Sequence, residues 1–73
     1  MDEVSWRARL AKSNINILDI HDCMIFVEFT YHPKPGVFKW CKTAYQFNDL
    51  MNMEELAEAI TDDILSLRKE LEG

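Results

Sequence analysis

A single apolar stripe near the C-terminus decides how this chain can bury a core. Met53, Leu56, Ala57, Ile60, Ile64, Leu67 and Leu71 recur at spacings of three and four, which puts them within about 100° of one helical face. A helix patterned this way is stable only when the stripe finds an apolar floor. Asn52 stands where an N-cap belongs, with Glu55 three residues on as a variant capping box, and Arg68 and Lys69 complement the dipole at the far end. The segment 53–71 is therefore predicted as an amphipathic helix.

The floor has one obvious source. Residues 22–31 and 37–47 are dense in β-branched and aromatic residues, and His32-Pro33-Lys34-Pro35-Gly36 between them offers Pro-Gly for a type II turn. Two prolines at the tip argue against strand there. Pairing Tyr31 with Val37 sets Phe29 against Lys39, Val27 against Cys41 and Cys23 against Tyr45. On that ladder Cys23, Ile25, Val27, Phe29 and Tyr31 share the helix-facing side with Cys41 and Tyr45. Cys23 and Cys41 lie four positions out of register, too far apart for a disulfide.

The first twenty residues read less clearly. As a strand, Val4, Trp6, Ala8 and Leu10 alternate with Ser5, Arg7 and Arg9; as a helix, the same stretch uses good helix formers but spreads its apolar residues. Period two is the better fit, with a turn at Lys12-Ser13-Asn14, a strand from Ile15 to Ile20 and a tight connection at His21-Asp22. The expectation is thus one α+β domain over residues 1–73. It comprises a small antiparallel β-sheet of three to four strands, a meander with the Pro-Gly hairpin at 32–36, packed against one C-terminal amphipathic helix. Helix-β-β-β-helix is the second arrangement.

Few chemistries suit these residues. Met1 to Arg7 lacks a basic n-region and an apolar stretch, and the longest apolar run, Cys23 to Val27, has five residues against about 20 for a membrane span. A cytoplasmic protein with reduced thiols and no membrane association is expected. Asp19, His21 and Cys23 alternate as three metal ligands would, but His-Asp between apolar runs is also ordinary turn chemistry. Cys23, Cys41, His21 and His32 are isolated singles with no third group to orient a nucleophile and its base. Gly36, the only glycine before the chain end, is needed by the hairpin turn, which disfavours a glycine-rich phosphate cradle, and Walker A and dinucleotide fingerprints are absent. No catalytic residue, metal or cofactor is assigned.

Charge is more informative. Residues 1–46 carry six bases and five acids, whereas residues 47–73 carry eight acids and two bases, so the helical segment holds the excess behind the net −5. Glu54, Glu58 and Asp62 form an i, i+4, i+8 column flanked by Glu55 and Asp63, and Leu65 points away from the apolar stripe. The column reads either as a solvated face or as a ridge offered to a protein partner with a basic surface. Phe26, Phe38 and Trp40 fall on the side of the hairpin that a C-terminal helix cannot cover. Trp6 and the N-terminal segment would cover them, or a second copy in a homodimer or higher oligomer, or another protein. Arg7, Arg9, Lys39 and Lys42 beside Phe38 and Trp40 have the ingredients of a single-strand platform, but the net charge opposes nucleic-acid binding. The expected function is a non-enzymatic acidic binding protein, an inhibitor or regulator of the size and charge that phages and mobile elements use, occluding a partner's basic surface. Sequestration of a small ligand such as a nucleotide between subunits, with Arg7, Arg9, Lys39 or Lys42 reading phosphate, is the alternative, and an assembly subunit is a third.

Overall fold

The computed structural model describes residues 4–73, with side chains from Trp6 onward, so the reading of Met1 to Glu3 lies outside the described residues. In chain order the elements are α1 (Val4–Lys12), β1 (Ile15–His21), β2 (Met24–Lys34), β3 (Val37–Gln46) and α2 (Met53–Leu71). The strands form one antiparallel sheet in the order β1-β2-β3. The α+β class holds, in the helix-β-β-β-helix arrangement.

The strand expected over Val4 to Leu10 is corrected to a helix. Trp6 and Leu10 are buried one turn apart, while Arg7, Ala8, Arg9 and Ala11 face solvent. Once the helix has a surface to pack on, the propensity of Ala, Arg and Leu outweighs the alternating pattern. α1 closes with Ser13 N–H donating to Leu10 (3.1 Å) and Asn14 N–H to Ala11 (3.0 Å), and Asn14 turns the chain at φ 58°, a conformation asparagine tolerates better than most residues.

β1 and β2 are joined by the two residues Asp22 and Cys23, both at positive φ (51° and 58°), between the paired His21 and Met24. This is the backbone of a type I′ hairpin, whose twist suits the flanking strands. Cys23 is therefore an exposed turn residue rather than part of the floor. Its carbonyl accepts from Phe47 N–H at 2.9 Å.

The β2–β3 register differs from the expected one by two residues. Ile25 pairs with Tyr45, Val27 with Thr43, Phe29 with Cys41 and Tyr31 with Lys39. β2 continues through Pro33 to Lys34, and a register shift between Tyr31 and Lys34 leaves His32 and Pro33 opposite Phe38. A bulge is one of the few places where a strand accepts proline, because the ladder is already interrupted there. Gly36 takes φ 79° in the tight turn. A slip of two preserves the faces, so Ile25, Val27 and Phe29 are buried under the helices, with Tyr31, Cys41 and Tyr45 packed around them.

Both helices lie on this one side of the sheet. Trp6 and Leu10 of α1 join Leu56, Ala57, Ile60 and Ile64 of α2 over Ile15, Ile25, Val27 and Phe29. Asn52 caps α2, its side chain accepting from Glu54 N–H at 2.8 Å. At the other end α2 is tied to β2 just past the point where β1 stops at the Ile15–Phe29 pair. Arg68 Nε donates to Thr30 O (3.0 Å) and Nη2 to Asn14 O (3.3 Å), the guanidinium lies 5.5 Å over the Phe29 ring, and Glu72 Oε2 accepts from His32 N–H at 2.8 Å. The backbone groups that β1 no longer pairs are thus satisfied by side chains of the last turn. Among the described residues no helix is long and apolar enough to cross a membrane.

Candidate interaction surfaces

Since α1 and α2 share one side, the other side of the sheet has no layer over it among the described residues. Trp6 is in the core between helices and sheet and cannot be the cover for Phe26, Phe38 and Trp40. Phe38 is 65% exposed, Trp40 59% and Leu18 47%, and Phe26 is half-buried. Alternation along β2 and β3 places Phe26, Glu28, Thr30 and His32 on this outer face beside Ala44, Lys42, Trp40 and Phe38. Each end has an imidazole–phenyl contact. His32 meets Phe38 edge-on at 4.0 Å between centroids, and His21 stacks on Phe26 at 4.9 Å with its Nδ1 2.9 Å from Asp19 Oδ2. Leu18 reaches this face through a register shift between Ile17 and Asp19, where β1 carries one residue more than β2.

The acidic residues of α2 divide into two groups. Glu55, Glu58 and Asp62 are exposed, with Leu65 (49% exposed) on the same outward side. Glu54 lies in the first turn at the cap. Asp63 turns toward β3 instead and accepts the Tyr45 hydroxyl at 2.5 Å. Burial pushes the Tyr45 phenol well above its ordinary pKa, and the hydrogen bond and negative charge of Asp63 push it further, so it stays protonated as the donor. Asp63 thus helps hold α2 to the sheet.

The proposed ridge and the aromatic face are on opposite sides of the molecule, so one can be occupied while the other is. The cations are not gathered. Arg7 lies 4.7 Å over Trp6 on the helix side, Lys42 is on the outer sheet face, and Lys39, paired with Tyr31, alternates to the other face. Cys23 is exposed in its turn and Cys41 half-buried; Asp19 and His21 stay together while Cys23 departs with the turn. Among the described residues no group of three or more His, Cys, Asp or Glu side chains converges as a metal site. Sequence reasoning missed Leu18, His21 and His32 as parts of the outer face, because bulges break the two-residue period that would reveal them. Compared with family models, curated proteins and solved structures, the chain matches none.

Proposed function

We propose that this protein is a non-enzymatic binding protein that uses the outward side of α2 to cover a basic surface on a protein partner. The observation that carries this reading is the position of the charge. Between Met53 and Glu72 there are seven acids and two bases, a balance of −5 equal to that of the whole chain. Glu55, Glu58 and Asp62 face water on the side away from the core, free of any role in packing. Acids near the helix start favour the dipole, but Asp62 lies in the middle, where they do not. Such a field steers a cationic partner and repels anions such as nucleic acid. Leu65 supplies an apolar contact beside the charges.

The test is affinity capture from host extract with wild-type chain and with Glu58→Lys/Asp62→Lys as baits. The wild type is expected to retain a basic protein, released as salt rises from about 0.05 to 0.5 M, and the charge-reversed bait to retain none of it. Equal capture by both baits would reduce the ridge to a solvated surface.

A further inference from the structure

We infer that the outer sheet face is the interface of a two-fold symmetric homodimer, two copies packing sheet to sheet with their helices outermost. The register carries the inference. Consider a two-fold axis parallel to the strands, midway between the two sheets and aligned with the gap between β2 and β3. Each β2 residue then stands opposite the β3 residue that it already pairs with in its own chain, because such an axis exchanges the strands without moving along them. In the three central rows of the outer face the observed pairs are Phe26 with Ala44, Glu28 with Lys42 and Thr30 with Trp40, between Met24 with Gln46 at one end and His32 opposite Phe38 at the other. Across the dimer, Phe26 therefore faces the second copy's Ala44, Trp40 faces its Thr30, and Glu28 faces its Lys42. Each match is large against small or acid against base, and each occurs twice. Sheets packed this way cross at about 30°, so the rows nearest the axis follow the correspondence most closely.

Charge and area agree with this occupant. Asp19, Glu28 and Lys42 leave the outer face at about −1, whereas α2 with Glu72 carries −5. With about 10 Å per layer, sheet-to-sheet packing keeps the two acidic helices about 30 Å apart, several screening lengths at physiological salt. With the axis between β2 and β3, the overlap is these two strands, about 35 Å long and about 10 Å wide, on the order of 350 Å² per copy before side-chain relief is counted. That belongs to the small end of specific interfaces and to a reversible dimer. Where the acidic α2 face also binds a partner, a consequence that rests on the function proposed above, the dimer carries two such faces at opposite poles and bridges two partners.

Light scattering on the size-exclusion peak at about 100 μM should give about 17 kDa, twice the 8.6 kDa chain. Phe38→Glu/Trp40→Glu should return it to chain mass with an unchanged circular dichroism spectrum, since both side chains are more than half exposed. The decisive experiment uses charge. Lys42→Glu alone and Glu28→Lys alone should each weaken self-association at least tenfold, and an equimolar mixture of the two should form a heterodimer at least as tight as the wild type. A monomeric wild type at about 100 μM, a mixture that fails to pair, or mass growing beyond two copies and dissolving in salt, as basic α1 against acidic α2 would give, overturns the inference. Glu58→Lys/Asp62→Lys should leave the mass at two copies, while Phe38→Glu/Trp40→Glu should still capture the partner, so failure of one reading is distinguishable from failure of the other.

Discussion

Replacing Arg68 with Ala should destabilise the protein by about 2 kcal/mol. The half-buried Nε–Thr30 O bond at 3.0 Å is charge-assisted and counts for about 1.5 kcal/mol, and the exposed Nη2–Asn14 O bond at 3.3 Å for about 0.5. Loss of the guanidinium over Phe29 adds about 0.5–1 kcal/mol. The freed side-chain entropy returns part of this, up to about 1 kcal/mol. For a domain this small the melting temperature should drop by about 8–16 °C. Urea unfolding followed by circular dichroism gives the free energy, and an unchanged m-value shows that the native fold persists. Arg68→Lys should recover less than half, because an ammonium cannot reproduce the fork that reaches two carbonyls. Lys69→Ala, at an exposed neighbour, should stay within about 0.5 kcal/mol of wild type. A loss below about 0.5 kcal/mol for Arg68→Ala would refute the claim that α2 is locked to the unpaired end of β2 through this side chain.

Cys23→Gly should stabilise the protein by about 0.5–1 kcal/mol in the same urea assay, since a non-glycine at φ 58° costs about 1–2 kcal/mol and the extra freedom of the unfolded glycine returns part of it; a destabilised variant would mean that the turn is not strained. Tyr45 is a phenol with its pKa raised on folding, so the stability it supplies is fully present below about pH 10, begins to fall above that value and is lost as pH rises through the raised folded value. Thermal melts from about pH 8 to 11 should therefore fall more steeply for wild type than for Tyr45→Phe, and parallel curves would count against the Asp63 contact as a link between α2 and β3. Under native conditions a thiol reagent should modify the exposed Cys23 rapidly and the half-buried Cys41 slowly; equal rates would contradict the packing of Cys41 beside Phe29.

The sequence by itself determined α2, its cap at Asn52, and which residues of β2 and β3 face the helices. Those features are carried by local chemistry and by a period that survives error. The two-residue difference in the hairpin ladder could not be seen, because a slip of two leaves every side chain on the same face. The bulge at His32-Pro33 absorbs it. The N-terminal segment was undecidable for a related reason. Trp6 and Leu10 are four apart, which is one helical turn and also an even number of strand positions, so either structure buries both. Only the presence of α2 beside them, sharing the same core, makes a helix the form that packs. The acidic column also looked uniform until β3 arrived next to it and drew Asp63 to Tyr45. Arg68 read as a cation at a helix end, yet it closes contacts to Asn14 and Thr30, 54 and 38 residues away. Placing both helices on one side of the sheet is likewise a tertiary decision, since the apolar floor that α2 needs is wide enough for α1 as well. That choice leaves Phe38 and Trp40 uncovered within the chain.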